Sequence, residues 1–314
     1  MIVVLAGGVG AARFLEGVVQ VVPPEQVAAV VNTGDDMQLM GLHISPDVDI
    51  VTCTLAGVID QAQGWGIAGD TDQFMQWMGV LGGPTWFKLG DRDLALHVRR
   101  SDLLRQGHTL SQVAEQFRLA LGCPVRVLPM SDDRVETHIV TAQGVMHFEE
   151  YFVRHRTQIE VLGVEFHGAD LARPAPGVLE AIREADAVLI APSNPIVSVG
   201  TILAVPGIRA ALAATAAPVV AVSPIVGGAA IKGPAVPLMR AHGLEASALG
   251  VASYYRDLID ALVIDNADAE LAAPIRALGI DVHVTDTIMR DPAAKRHLAA
   301  VTLHAANLGQ NAEF

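Results

Sequence analysis

Basic residues, aromatic residues and cysteines are all scarce in this chain of 314 residues. The net charge is −13 at pH 7, which argues against a protein that binds nucleic acid or a membrane surface through a basic face. A phosphorylated ligand is not excluded, because main-chain amides, a metal ion or a few basic residues can bind one. The two cysteines, Cys53 and Cys123, have neither metal-ligand nor redox-pair spacing. We therefore predict two buried core thiols and a cytoplasmic location.

Several sequence signals are also missing. No apolar stretch reaches membrane-spanning length without turn residues or charges. The N-terminal MIVVLAGG is too short for a signal-peptide core and has no basic flank. The chain has no HExxH, no G-x-S-x-G and no G-x-x-x-x-G-K-[ST] motif, which removes the usual zinc-protease, serine-hydrolase and P-loop readings.

The chain is rich in small and aliphatic apolar residues. Half of the residues are hydrophobic but only 4% are aromatic, a profile typical of an α/β protein with a buried parallel sheet. Strand 2–6, glycine turn 7–10, helix 11–22 and strand 27–31 begin a right-handed βαβ unit. The same alternation returns later, with strands predicted at 187–191, 219–222 and 281–284, and helices at 176–185, 201–214, 268–278 and 292–308. The pattern predicts a Rossmann-like α/β fold, with a mostly parallel sheet and helices on both faces.

The middle of the chain follows another pattern. Helices are predicted at 91–105 and 109–121, followed by short strands at 125–129, 135–140 and 145–149. No Pro/Gly/Ser-rich linker bounds this region. We therefore predict one elaborated domain, with a core of about 1–69 and 166–314 and an inserted α+β region of about 70–165.

The first candidate site is the glycine loop between the first strand and helix. Gly7, Gly8 and Gly10 let main-chain N–H groups approach a phosphate at a helix N-terminus. Arg13, one turn into the helix, can reach the same anion or simply face water. Arg13 also stands where a dinucleotide fingerprint needs a small residue, which counts against a nicotinamide-dependent oxidoreductase. A plain tight turn is the alternative.

Carboxylates follow at two places. Asp35 and Asp36 come after the second strand, where ligands collect in open α/β sheets, although the two acids can equally cap a helix or face water. Asp47 and Asp49 precede a helix-like stretch at 50–59. On an extended segment they point to the same side, which suits a hard cation, but an N-cap explains the spacing better.

Two further segments are candidates. Trp86-Phe87-Lys88 precedes a charged helix start at Asp91, which is its predicted N-cap. Lys88 suits phosphate or ligand oxygens, and Trp86 offers a stacking surface or a staple into the core. Ser193 and Asn194 lie between prolines after a buried strand. They can form a rigid rim that binds a nucleotide, or they can be ordinary turn residues.

Eight segments in this order resemble one family, the 2-phospho-L-lactate transferases and related phosphoenolpyruvyl transferases. They are LAGGVGAARFLEG, VNTGDD, GLHISPDVDIVTCTLAG, GWGIAGDT, WFKLGDRDLALH, LPMSDDRVETHI, IAPSNPIVSVGTIL and SPIVGGAAIKG. Ala11 departs from the pattern, since many members carry a further glycine there. The likeness covers nearly the whole chain.

The resemblance implies an enzyme of coenzyme F-420 biosynthesis. The donor would be a guanosine diphosphate ester of lactate or enolpyruvate, with glycerate as a third option. The acceptor would be the ribityl hydroxyl of 7,8-didemethyl-8-hydroxy-5-deazariboflavin, and GMP would leave. The family implies Mg²⁺, a homodimer, and acceptor-site roles for Asp49 and Lys88.

The residues then receive expected roles. We expect Mg²⁺ on Asp49, assisted by Asp47 or Asp35, unless Asp49 instead orients or deprotonates the acceptor hydroxyl. The glycine loop would hold the donor phosphate, Ser193 and Asn194 the guanosine, and Lys88 with Trp86 the deazaflavin. A non-catalytic nucleotide-binding regulator of metabolism is the alternative function.

Overall fold

A computed structural model of the protein describes residues 1–308. The strands in chain order are β1 Ile2–Ala6, β2 Val27–Val31, β3 Met37–Leu39, β4 Leu42–Ile44, β5 Arg126–Pro129, β6 Glu136–Thr141, β7 Gly144–His147, β8 Gly163–His167, β9 Ala187–Ile190, β10 Val219–Val222, β11 Ile225–Val226, β12 Ala229–Ala230, β13 Ala261–Asp265 and β14 Asp281–Thr285. The α-helices are α1 Gly8–Val18, α2 Pro46–Leu55, α3 Gln73–Val80, α4 Asp91–Arg105, α5 Leu110–Ala120, α6 Val178–Arg183, α7 Thr201–Ala204, α8 Ile208–Ala214, α9 Ala235–Ala241, α10 Ala248–Tyr255, α11 Ala272–Arg276 and α12 Pro292–Ala305. Short 3-10 helices cover Pro24–Gln26, Ala169–Leu171 and Asn266–Leu271, and single π-helical turns cover Glu150–Arg154 and Pro195–Gly200.

Seven parallel strands form the central sheet, in the order β14-β13-β10-β9-β1-β2-β5. Strands β1, β2, β9 and β10 are apolar throughout and buried on both faces, as parallel strands covered by helices must be. Val4 packs in one core cluster with residues of α1 and α12. Val3 and Leu5 pack in the other, with residues of α6 to α8. The Rossmann-like α/β fold is therefore confirmed.

The chain reverses its winding direction beside β1. From β1 the chain adds β2 and β5 on one side, whereas β9, β10, β13 and β14 lie on the other side. In open α/β sheets such a switch point forms a crevice outside the carboxyl ends of the strands, where ligands bind. The loops that leave this point begin at Gly7 after β1 and at Ala191 after β9.

Strand predictions were accurate in the sheet centre, but helix boundaries shifted. β1, β2 and β10 begin and end as predicted. The first helix begins at Gly8 rather than at residue 11, and α2 begins at Pro46 rather than at residue 50. The predicted helix 201–214 is two helices, because Pro206-Gly207 interrupts it.

The predicted limits of the inserted region do not match the strand pairing. The segment at 125–129, which we grouped with the insertion, contains β5 and pairs with β2 at the edge of the main sheet. A separate antiparallel sheet has the order β7-β6-β8 and continues to His167, beyond the predicted limit at residue 165. Short apolar runs do not reveal which sheet they join, since pairing is a tertiary event.

No single helix within residues 1–308 has the length and apolar character needed to cross a bilayer. One bent pair, Pro195–Ala204 with Ile208–Ala214, meets that test only when its two arms are taken together.

Candidate active site

Two adjoining cavities open at the switch point of the sheet. The first, which we call the phosphate-loop cavity, has a volume of about 340 Å³ and is lined by the glycine loop, Arg13 and the loop after β9. The second, the aromatic cavity, has a volume of about 500 Å³ and is lined by Trp65, Phe87 and Phe152 among others. Both cavities share a wall that is made by Val9, Pro46, Ile50, Glu149, Phe152, Lys232 and Gly233.

The glycine loop is held tightly against its neighbours. A Cβ on Gly7 would lie 2.6 Å from the Ser198 Cβ, and one on Gly10 would lie 2.7 Å from the carbonyl oxygen of Pro192. Gly8 has a left-handed φ of +70°, which an L side chain adopts only at a cost. All three glycines line the phosphate-loop cavity, as does Arg13. The N-terminus of α1 therefore presents main-chain amides to a ligand in this cavity.

Ser193 and Asn194 also line the phosphate-loop cavity, and both have structural partners. The Ser193 hydroxyl donates to the Gly7 carbonyl at 2.9 Å and accepts from the Gly7 amide at 3.3 Å. The Asn194 side-chain oxygen accepts from the amides of Ile196 at 3.0 Å and Val197 at 3.3 Å. These bonds tie the loops after β1 and β9 together. Contact with guanosine stays a prediction.

Three buried carboxylates face the phosphate-loop cavity: Asp35, Asp47 and Glu149. Burial raises the pKa of Asp47 to about 7, although a hydrogen bond from the Asn32 side chain, at 3.0 Å, opposes the rise. Burial, and then the charges of Asp47 and Asp36, raise the pKa of Glu149 to about 8. Burial and the neighbouring charges of Asp47 and Glu149 raise the pKa of Asp35 well above its ordinary value.

Sequence reasoning missed Glu149. It follows β7 in a stretch that the alternating pattern assigned to a strand, and the pattern contains no signal that it meets Asp47. Asp36 is adjacent to Asp35 in the sequence, and we expected the two acids to bind a ligand, cap a helix or face water. Asp36 neither caps a helix nor faces water. Its carboxylate accepts from the Ser45 hydroxyl at 2.7 Å and lies 2.9 Å from His43 Nε2.

The three carboxylates predict a pH-dependent stability. An acid whose folded-state pKa is raised keeps its proton longer in the folded protein than in the unfolded chain. Stability therefore falls as pH rises from the ordinary Glu value of 4.5 towards 8 for Glu149, by on the order of 1 kcal/mol per pH unit for each proton retained. We expect the Tm in chelator-containing buffer to fall between pH 5.5 and pH 8. Glu149→Gln should flatten this dependence, and an equal slope in both proteins would contradict the assignment.

Asp49 lies in a different environment from Asp47. Both residues belong to the first turn of α2, and Ser45 occupies the N-cap position, so neither acid is the cap. The predicted extended segment with both carboxylates on one side is wrong, because residues two apart on a helix are separated by about 200°. Asp47 accordingly lines the phosphate-loop cavity and Asp49 the aromatic cavity.

The two oxygens of the Asp49 carboxylate have different surroundings. Its Oδ1 forms an ion pair with Arg100, which is buried, and His97 Nδ1 lies 3.7 Å from its Oδ2. Asp49 Oδ2 is buried and has no hydrogen-bond partner among the described residues. Burial raises the pKa of Asp49, while the Arg100 charge opposes the rise. This side chain therefore has one fixed oxygen and one available oxygen beside the aromatic cavity.

The rings around the aromatic cavity are not all those expected. Trp86 does not line it. Trp86 instead contacts Phe87 edge-on, with ring centroids 5.7 Å apart, and packs on a small core cluster that includes Met75 and Leu89. The core-staple alternative therefore describes Trp86 better than stacking. Lys88 does line the cavity, with its Nζ 5.7 Å from the centroid of the Trp65 ring, and Trp65 was missed by sequence reasoning.

Asp91 and the two cysteines have structural surroundings. Asp91 is in the first turn of α4, after the N-cap Gly90, and its carboxylate accepts from the amides of Gln73 and Phe74 at the start of α3. Both cysteines are free and buried as predicted, and Cys53 lies in the wall of the aromatic cavity.

No metal cage accompanies these groups. Across residues 1–308, no three His, Cys, Asp or Glu side chains are arranged to hold one metal ion. The expected set of Asp35, Asp47 and Asp49 is divided, because Asp49 turns to Arg100 and the aromatic cavity. A Mg²⁺ ion usually takes one or two protein carboxylates and completes its shell with water and substrate phosphate.

Comparison with known proteins shows the family of the chain. The family described as 2-phospho-L-lactate transferase CofD matches residues 2–300. The chain belongs to that family. It is 49% identical to the phosphoenolpyruvate transferase of Kitasatospora aureofaciens, over 97% of each chain. It is 41% identical to the 2-phospho-L-lactate transferase of Methanosarcina acetivorans, over 95% of this chain and 96% of the other.

The fold also has a solved counterpart. A crystal structure of a UPF0052-family protein from Bacillus halodurans superimposes with a TM-score of 0.64, covering 96% of this CofD-family chain and 97% of the other. At 17% identity this similarity bears on the fold alone.

Proposed function

We propose that this enzyme transfers a 2-phospholactyl or phosphoenolpyruvyl group from a guanosine diphosphate donor to the ribityl hydroxyl of 7,8-didemethyl-8-hydroxy-5-deazariboflavin, in coenzyme F-420 biosynthesis. One observation carries the proposal: a glycine-loop cavity suited to phosphate shares a wall with a cavity lined by aromatic rings. A donor nucleotide in the first and a flat deazaflavin in the second would meet at that wall. The names of the two relatives support the same reaction class.

The reaction is a displacement at phosphorus. The acceptor hydroxyl oxygen forms a bond to the phosphorus that bears the small acid, and the hydroxyl proton is released. The bond from that phosphorus to the bridging oxygen breaks, and GMP leaves with the electron pair. Positioning and electrostatic stabilisation account for most of the catalysis of such transfers.

Asp49 is assigned to the acceptor hydroxyl rather than to a metal. Arg100 fixes one of its oxygens, and the other forms no hydrogen bond within the described residues, with His97 Nδ1 3.7 Å away. A carboxylate in this state can accept the hydroxyl proton or hold the hydroxyl in line with the phosphorus. Lys88 and the Trp65 ring line the aromatic cavity and suit the acceptor's polar groups and its flat ring system.

Asp35 and Asp47 are the residues assigned to Mg²⁺. Asp35 Oδ1 is buried without a hydrogen-bond partner, and burial together with the charge of Asp47 raises its pKa. These are signs of a carboxylate pair that a cation would stabilise. When bound, Mg²⁺ would neutralise part of the diphosphate charge. The amides of the glycine loop and Arg13 supply further contacts to the donor, with Ser193 and Asn194 beside the guanosine.

A homodimer is part of the proposal, as is action in the cytoplasm. Trp77, Val80 and Leu81 form an exposed apolar surface at the end of α3, which supports self-association. Sedimentation equilibrium would give the molecular mass directly.

Incubation with defined substrates tests the function. Purified protein, Mg²⁺ and the deazaflavin alcohol would be combined with the guanosine-diphospho ester of lactate, enolpyruvate or glycerate, and products followed by mass spectrometry. We expect a phosphodiester product and GMP with at least one donor, and loss of turnover when a chelator replaces Mg²⁺. Folded protein that forms no product with any donor would favour the nucleotide-binding regulator instead.

A further inference from the structure

Lys232 occupies the place where the two cavities meet. It lies between β12 and α9, followed by Gly233, and it lines both the phosphate-loop cavity and the aromatic cavity. Only one other charged side chain, Glu149, belongs to the shared wall within residues 1–308. Among the described residues, Lys232 is therefore the one cationic residue that lines both cavities.

Lysine is rare in this chain, and the other two lysines each contact a residue of their own. The chain has three lysines. Lys295 donates to the Glu16 carboxylate at 2.5 Å, and Lys88 lies over the Trp65 ring. Two of the three lysines thus line these cavities, in a protein whose overall charge is strongly negative.

Arg13 and Lys232 both line the phosphate-loop cavity and lie near one another. Both approach Gly64: a Cβ on that residue would lie 3.7 Å from Arg13 Nη2 and 3.9 Å from Lys232 Nζ. Neither cation forms an ion pair with a carboxylate of the described part of the chain. Lys232 is exposed, and partial desolvation, followed by the nearby charge of Arg13, lowers its pKa. Two neighbouring cations without an acidic partner are a site for an anion.

In the proposed reaction the phosphorus lies at the same junction. Its leaving group would occupy the phosphate-loop cavity, and its nucleophile would come from the aromatic cavity. Negative charge increases on the oxygens around the phosphorus as the old bond breaks, so a cation placed there stabilises the transition state.

We propose that Lys232 is a catalytic residue that binds the non-bridging oxygens of the transferred phosphoryl group, with Arg13 beside it. The inference rests on the proposed function. Lys232 keeps its proton throughout: the hydroxyl proton is released separately, and GMP departs with the electrons of the broken bond.

Binding of GDP and GMP tests the placement without catalysis. The second phosphate of GDP stands in for the transferred group, and GMP lacks it. In calorimetry, Lys232→Met should bind GDP about 10- to 100-fold more weakly than wild type, the range for a lost charge-assisted contact, while GMP binding stays within about threefold. Lys232→Arg should restore most of the GDP affinity. Arg240→Ala is the matched control, because Arg240 is an exposed cation near the end of α9 that lines neither cavity.

Turnover then tests the catalytic role. We expect kcat of Lys232→Met to fall on the order of 100-fold, with an unchanged unfolding midpoint and partial recovery in Lys232→Arg. An unchanged ratio of GDP to GMP affinity, or a Lys232→Met kcat within about threefold of wild type, would overturn the role of Lys232 alone. A wild-type protein that binds GDP but gives no product would overturn both the transfer reaction and this catalytic role.

Discussion

Asp49→Asn is expected to lower kcat by about 1,000-fold, a loss typical of removing a proton-accepting group, while the protein stays folded. Asparagine has nearly the same shape and keeps an oxygen for Arg100. It cannot accept the hydroxyl proton, and it carries no negative charge to hold the acceptor hydroxyl in line. The Oδ2 oxygen of Asp49, buried beside the aromatic cavity without a hydrogen bond in the described part of the chain, makes this position the most sensitive one in the acceptor site. Steady-state kinetics with saturating donor would measure the loss.

A matched variant separates chemistry from charge. Asp102→Asn removes an exposed carboxylate of α4 that pairs with Arg99 at 3.1 Å, and exposed pairs contribute little. We expect wild-type kcat for it. Asp49→Asn should also retain the far-ultraviolet circular dichroism of wild type. Turnover within about threefold of wild type in folded Asp49→Asn would remove Asp49 from the reaction.

Local sequence was sufficient for the centre of the fold. The runs IVVLA and VAAVV end at glycine or at Asn-Thr-Gly, and they form strands with the predicted limits. Their uniform apolarity reflects burial on both faces of a parallel sheet. The glycine loop was placed correctly for a similar reason, since the turn residues and the helix that follows are adjacent in the chain.

The site depended on distances that no local pattern contains. Asp47 and Asp49 were assigned to one side because their segment was read as extended, whereas Ser45-Pro46 begins a helix there, and proline is common at that first helical position. Glu149 and Lys232 reach the shared wall from remote parts of the chain. Trp65 lines the aromatic cavity, whereas Trp86 packs on a small core cluster. Tertiary packing decides between these two positions, and local sequence does not contain it.

Gly10→Ala is expected to impair both stability and nucleotide binding. The added Cβ would lie 2.7 Å from the Pro192 carbonyl oxygen, a backbone atom that cannot move without shifting the loop after β9. Relief requires α1 to separate from that loop, which strains the two bonds between Gly7 and Ser193. We expect a loss of about 1–3 kcal/mol in the free energy of unfolding, as for other overpacked sites. GMP affinity should fall at least about tenfold, because the loop amides would no longer converge on the phosphate.

The control is a glycine in an open position. Gly79 lies on exposed α3, where a Cβ would make only an ordinary contact, 3.7 Å from Thr85 Cγ2. Gly79→Ala should raise stability by up to about 1 kcal/mol through helix propensity and leave GMP binding unchanged. Wild-type stability and GMP affinity in Gly10→Ala would contradict the close approach of the two loops. Because GMP lacks the transferred phosphoryl group, a GMP loss in Gly10→Ala but not in Lys232→Met would assign the glycine loop to the leaving nucleotide and Lys232 to the group in transit.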